Sequence, residues 1–127
     1  MTLLFDEDGS ETVRAIINGT EPVFVPFVVL TEVEYRLLQL RAERAEQDIL
    51  TLEAWPVEIV ESNREWRRTA ARLKAQHSIS FADAWVAGLA LLNDVDLVHK
   101  DPEFDAVAEL KHLRLPYKAS SRGEPVR

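Results

Sequence analysis

Apolar residues along the chain follow two kinds of pattern, short strand-like runs and longer stretches with helical spacing. The strand-like runs are bounded by turn residues, which is typical of short buried strands. They lie at Val23–Pro26, Val57–Val60 and Leu97–Val98, with a further edge strand expected over Leu113–Tyr117. Because helical stretches separate these runs, the pattern predicts an α/β fold with a small parallel sheet flanked by helices in three layers.

The longest predicted helix begins at Phe27. Its apolar positions recur at three- and four-residue steps and define a core face of Leu30, Val33, Leu37 and Leu40. The charged segment Arg41–Asp48 suits a helix–helix connection or a solvated helix face, and the helical pattern has to stop at Trp55–Pro56. A shorter helix is predicted over Glu11–Ile17.

Two helices are predicted after the second strand, and a short one near the end of the chain. Ser62 is expected to cap the first of them, with Glu65 as its capping-box partner. The next begins after Ser80 and has no polar stripe, which predicts burial on nearly every side. A last short helix is expected over Phe104–His112.

The composition describes one ordinary globular domain. The 127 residues are enough for a single compact core, which we expect over residues 1–117, followed by a polar tail over 118–127. No run approaches the roughly 20 apolar residues of a membrane span. The chain has no cysteine, which excludes disulfides and thiolate metal sites, and a cytoplasmic location is expected.

Acidic residues are predicted at the ends of several elements. Glu32 lies in the first turn of the helix that follows the first strand, Asp83 opens the apolar helix, and Asp101 follows the Leu97–Val98 strand. Ligands of parallel sheets lie outside the carboxyl ends of the strands, so these three acids can reach one edge of the sheet. Carboxylates without His or Cys companions suit Mg²⁺ or Mn²⁺, and such ions support phosphodiester hydrolysis.

Each acid also has a purely structural interpretation. Asp83 with Ser80 fits a capping box, Glu32 fits a partner of the helix dipole, and Asp101 before Pro102 is a common turn start. The three histidines have no mutual metal-binding spacing and are expected to be surface or packing residues. The net charge of −7 argues against a general nucleic-acid coat but allows a nuclease, because divalent ions supply positive charge.

Three segments in this order resemble the PIN domain, and most closely the ribonuclease toxins (VapC) of VapBC toxin–antitoxin systems. These segments are Val23–Val33 (VFVPFVVLTEV), Ser80–Ala84 (SFADA) and Leu97–Phe104 (LVHKDPEF). The resemblance covers Leu3 to about Tyr117. It implies a PIN-like fold and a Mg²⁺- or Mn²⁺-dependent endoribonuclease that is usually a homodimer and is inhibited by a VapB-like antitoxin.

The resemblance also implies site residues. Glu32, Asp83 and Asp101 match three of the family's four metal-binding acids, and Glu103, or less readily Asp105, would support the fourth position. No single basic residue is indicated for RNA contacts; the candidates are Arg36, Arg41, Arg44 and Lys100.

Two features depart from the family pattern. The family's first strand, which ends in an aspartate, has no counterpart before Leu3, so we expect a missing or truncated first strand. A start assigned too late, a degenerate copy, or a neighbouring or swapped element that fills the gap would each account for this. The second departure is His99, which stands where the family usually has Thr or Ser two residues before the last aspartate.

These departures leave other functions open. The main alternative is a catalytically inactive, truncated PIN domain that acts as an antitoxin-binding or dimerisation module. A small α/β phosphatase-type hydrolase is a third reading, which would need a nucleophilic aspartate at the end of the first strand.

Overall fold

The computed structural model describes residues 10–99 and 102–114. Helices and strands alternate through this part of the chain, as the apolar pattern predicts. In chain order the elements are α1 (Ser10–Ile17), β1 (Phe24–Pro26), α2 (Phe27–Glu53), β2 (Glu58–Val60), α3 (Arg64–Gln76), α4 (Phe81–Asn93), β3 (Asp96–His99), a 3₁₀ helix (Pro102–Ala106) and β4 (Lys111–Arg114). None of the helices in these residues is long and apolar enough to cross a membrane.

The strands form parallel pairs. β1 pairs with β2, with Pro26 opposite Val60, and β3 pairs with β4, with Asp96 opposite Lys111. Helix α4 packs against both β1 and β3 and so connects the two pairs. A mixed α/β fold with small parallel sheets flanked by helices is therefore confirmed. The segment Leu3–Phe5, before which the family's first strand was expected to be missing or truncated, lies outside the described residues, as does the tail over 118–127.

Apolar side chains collect in two clusters. The larger lies between α3, α4, β3 and the 3₁₀ helix and includes Leu73, Ala87, Phe104 and Val107. The smaller lies within α2, where Val33 and Leu37 of its first half pack with residues of its second half.

Helix α2 bends sharply, which corrects the predicted core face. Arg41 has non-helical backbone angles (φ −157°, ψ 69°), and its Nε lies 3.0 Å from a carboxylate oxygen of Asp48. The bend folds the second half of α2 back on the first, so the Arg41–Asp48 segment contains both the connection and part of the core. Val33 and Leu37 are buried, but Leu40 directly precedes the bend and is 65% exposed, so its predicted burial is wrong.

The cap of α3 lies one residue later than predicted. The Asn63 side-chain oxygen, and not the Ser62 hydroxyl, accepts a hydrogen bond from the Trp66 N–H at 2.9 Å. Asn is as good an N-cap as Ser, so the local sequence offered two adjacent choices and packing of Trp66 selected one. Trp66, Ala70 and Leu73 form the buried face of α3.

Two other expectations are wrong in detail. The residues expected to form a helix over Phe104–His112 instead divide between the 3₁₀ helix and β4, because parallel pairing with β3 supplies backbone partners for Lys111–Arg114. Helix α4 is buried at Ala84, Ala87 and Gly88, but Phe81 is 70% exposed. Phe81 is the first residue of the helix and lies beyond the surface that α3 covers.

The first prediction concerns Gly88, where α4 lies against α3. A Cβ at this position would lie 3.3 Å from Trp66 Cδ1 and 3.4 Å from the Ala70 backbone nitrogen. Gly88→Val should therefore lower the free energy of unfolding by about 1–3 kcal/mol through overpacking. The exposed substitution Ala71→Val on α3 is the control, with an expected cost below about 0.7 kcal/mol from helix propensity alone. Urea denaturation measures both; equal losses would contradict the close packing.

Candidate functional site

Asp83 lies in the first turn of α4, where Ser80 forms the N-cap. The Ser80 hydroxyl accepts a hydrogen bond from the Asp83 N–H at 3.1 Å, and the Asp83 side chain is half-buried. The positive end of the helix dipole favours a carboxylate at this position. Capping by Ser80 is therefore confirmed, and it fixes the turn that carries Asp83.

The second half of the expected capping box is made by a different acid. In a complete box the Asp83 carboxylate would accept from the Ser80 N–H. Instead, this N–H donates to Glu103 Oε2 at 3.4 Å, across 23 positions of sequence. Thus two of the predicted acids, Asp83 and Glu103, both contact Ser80 at the same end of α4. The capping box does not account for the Asp83 carboxylate, since another residue occupies its place in the box.

Glu32 lies on an exposed surface of α2. The helix begins at Phe27 and has no acidic residue in its first turn, so Glu32, five positions later, belongs to the second turn. Its predicted place in the first turn is wrong because, in a helix that starts at Phe27 with Pro26 as N-cap, the first turn ends before Glu32. The favourable interaction of an acidic side chain with the helix dipole is confined to the first turn. Glu32 is therefore not explained as a partner of the dipole.

Asp101 lies outside the described residues, so the convergence of the three acids stays a prediction. Within residues 10–99 and 102–114, no three His, Asp or Glu side chains are grouped as a metal site would require. The donor chemistry nonetheless fits a hard cation, because Asp83 and Glu103 both carry carboxylates and both contact Ser80, Glu103 through its carboxylate and Asp83 through its backbone N–H.

His99 ends β3 as a buried packing residue. Its side chain is 6% exposed, and its ring meets Phe104 edge-on with centroids 5.0 Å apart. The imidazole thus packs against the 3₁₀ helix that carries Glu103. This agrees with the expectation that the histidines are surface or packing residues; the side chain of His112 lies outside the described part.

A groove on α2 is the feature that sequence reasoning missed. It has a volume of about 350 Å³, and the residues that line it are Phe27, Leu30, Thr31, Glu34, Tyr35, Leu38 and Glu61. The α2 members recur every three or four positions, so a second stripe beside the core face was the available signal. Glu34 lines the groove and Glu32 does not.

Comparisons with known proteins agree with this architecture. The PIN domain family model matches residues 1–110. A chain of VapBC2 from Rickettsia felis, crystallised on a DNA fragment from their promoter, has 15% identity and a TM-score of 0.73, covering 90% of both chains. A chain of VapBC-1 from nontypeable Haemophilus influenzae has 18% identity and a TM-score of 0.67, covering 80% of this chain and 82% of that one. At these identities the likeness shows a shared fold. No curated protein sequence matches the chain.

The second prediction tests the N-cap of α4. Ser80→Ala removes the hydroxyl that accepts from the Asp83 N–H and should lower the free energy of unfolding by about 1 kcal/mol. Ser78→Ala, in the exposed loop two residues earlier, should change it by less than about 0.5 kcal/mol. Chemical denaturation measures the free energy of unfolding of the two variants. If Ser80→Ala does not lower it, the assigned cap is wrong.

Proposed function

The chain belongs to the PIN domain family, and from this membership we propose that it is a metal-dependent endoribonuclease of the VapC toxin type. In this proposal it hydrolyses phosphodiester bonds of RNA in the cytoplasm and is held inactive by a VapB-like antitoxin. Support comes from the family match over residues 1–110 and from the fold shared with chains of VapBC complexes.

The observation that carries the proposal is the meeting of Asp83 and Glu103 at Ser80. Glu103 takes the Ser80 N–H that a capping box would give to Asp83. The fold therefore holds two carboxylates near one helix end, although one would satisfy the cap. The start of α4 thus has one carboxylate, that of Glu103, which completes the cap, and a second, that of Asp83, which the cap does not use. This supports the choice of Asp83 as a ligand of the proposed cation.

The proposed ligands of Mg²⁺ or Mn²⁺ are Glu32, Asp83 and Asp101, with Glu103 as the supporting fourth acid. A bound divalent ion of this kind makes a water nucleophilic at neutral pH and stabilises the oxygens of the phosphodiester. The protein contributes the positions of its carboxylates. Ser80 fixes the turn of Asp83, and the packing of His99 on Phe104 supports the 3₁₀ helix that carries Glu103.

The groove on α2 is the proposed binding site of the antitoxin. Its apolar lining, including Leu30, Tyr35 and Leu38, suits the apolar side of a partner segment. Glu34 and Glu61 at the same groove favour a segment that also carries Lys or Arg. A homodimer is part of the proposal, and Leu40 is an exposed apolar residue of α2 available to such a contact.

The same groove favours a second candidate function. The groove includes none of the four proposed metal-binding acids. A chain that has lost catalytic activity would therefore keep the groove. The alternative is therefore a catalytically inactive PIN domain that acts as an antitoxin-binding or dimerisation module. It predicts partner binding without RNA cleavage.

The third prediction distinguishes these candidates. Asp83→Asn should lower RNA cleavage by about 10²–10³-fold or more. The substitution removes a charged ligand of the proposed metal ion, and this ion stabilises the reacting phosphate. EDTA should abolish cleavage by the unmodified chain, and added Mn²⁺ should restore it. The assay is cleavage of a labelled single-stranded RNA, with circular dichroism to confirm that the variant is folded.

The control for Asp83→Asn is Glu34→Gln. It removes the same charge from an exposed carboxylate that lines the groove and should leave the cleavage rate unchanged. If the unmodified chain neither cleaves RNA nor gains thermal stability from Mn²⁺, the enzyme proposal is wrong and the binding module remains.

The fourth prediction concerns the groove. Leu38→Asp should weaken binding of the antitoxin encoded beside this chain's gene by about 10- to 100-fold, the equivalent of losing one buried leucine. Leu50→Asp is the matched control, because Leu38 is 52% and Leu50 59% exposed and only Leu38 lines the groove. Titration calorimetry measures both affinities; equal weakening would rule out the groove as the antitoxin site.

A further inference from the structure

Helix α3 is basic in a chain that is acidic overall. Arg64–Gln76 contains five basic residues and one acidic residue, whereas the whole chain has a net charge of −7. Arg64, Arg67 and Arg68 are exposed, and their i, i+3, i+4 spacing makes them neighbours on one face of the helix. This face is opposite the buried side that carries Trp66. We name these three residues the α3 arginine cluster.

The described part of the protein does not neutralise this cluster. Among residues 10–99 and 102–114, no ion pair involves the cluster or the neighbouring Glu65. Like charges at this spacing destabilise a helix, and cations in its first turns also face the positive end of the dipole. The cluster is therefore unfavourable for the fold alone, and an external polyanion would offset the repulsion.

We propose that the α3 arginine cluster docks the phosphate backbone of a single-stranded RNA; this rests on the proposed ribonuclease function and names the surface that holds its substrate. The guanidinium group is planar and presents paired N–H donors that match phosphate oxygens. Contacts of this kind orient a strand without reading its sequence. The cluster thus supplies positioning, and the acids supply the chemistry.

The surroundings of the cluster favour RNA over an acidic protein segment. Protein partners are usually anchored by apolar or aromatic side chains in pockets. The exposed residues that continue this face of α3 are Ala71, Arg72 and Ala75, and neither alanine is large enough to form an apolar pocket. The groove that offers apolar contacts is lined by residues of α2 together with Glu61, and by none of the three arginines.

The connectivity of the chain also brings the cluster to the proposed catalytic edge. β1 and β2 run parallel, with Pro26 opposite Val60, so both strands end at the same edge of their pair. Helix α2, which carries Glu32, begins directly after Pro26, and Arg64 follows Val60 by four residues. A strand of RNA on the cluster therefore lies near the edge from which α2 begins.

The fifth prediction tests docking separately from cleavage. Fluorescence anisotropy with a labelled 2′-O-methyl single-stranded RNA, measured on the full chain in EDTA, reports binding without hydrolysis. Arg67→Gln combined with Arg68→Gln should weaken binding about tenfold and lower the slope of log K against log salt by about 1.4, since each lost contact on a single strand removes about 0.7. In the cleavage assay the same variant should raise KM and leave kcat unchanged.

The matched control is Arg14→Gln combined with Lys111→Gln, which removes the same charge from exposed positions on α1 and β4. It should leave affinity within about twofold of the unmodified chain, because net charge alone contributes little at physiological salt. Equal weakening in both double variants would overturn the proposal in favour of a general charge effect. Absence of RNA binding by the unmodified chain would also overturn it.

Two further outcomes are informative. If a poly-glutamate peptide displaces the RNA at equal charge concentration, the cluster is a site for an acidic protein and the RNA proposal is wrong. If the RNA binds as predicted but no RNA is ever cleaved, the docking inference stands and the proposed ribonuclease function fails. The two proposals therefore have separate refutations.

Discussion

The close approach of α3 to α4 determines where most other elements of the described structure lie. Trp66 is fully buried beside Gly88, and its indole N–H donates to the Trp85 carbonyl at 2.7 Å. Phe27, at the start of α2, meets both tryptophan rings edge-on. Because α4 also packs against β1 and β3, this single contact sets α4 relative to both strand pairs and directs the helix end that carries Asp83.

At that helix end, Ser80 forms hydrogen bonds with both Asp83 and Glu103. The Ser80 hydroxyl accepts from the Asp83 N–H, and the Ser80 N–H donates to Glu103 of the 3₁₀ helix that follows β3. The fold thus uses one carboxylate to complete the cap and keeps another in the same turn. Such an arrangement couples the order of the 3₁₀ helix to the order of α4, so the two acids are positioned together.

The distribution of charge is more informative than its total. The net charge of −7 describes a chain that would repel nucleic acid at long range, yet α3 carries five basic residues against one acidic residue. Screening limits long-range repulsion to about 8–10 Å at physiological salt, so the nearest charges decide what a surface binds. An acidic groove on α2 and a basic face on α3 are therefore compatible in one small domain, and each suits a different partner.

Local sequence determined the features that depend on neighbouring residues: the apolar period of α2, the nearly continuous apolar run of α4, the short strands, the Ser80 cap, and the residue types of the acids. These follow from side-chain spacing and from turn chemistry within a few positions. Tertiary structure decided the rest. The choice of Asn63 over Ser62 followed the packing of Trp66, and the exposure of Leu40 followed the bend at Arg41. The contact between Glu103 and Ser80 spans 23 positions, so only the packing of the 3₁₀ helix against α4 could bring it about.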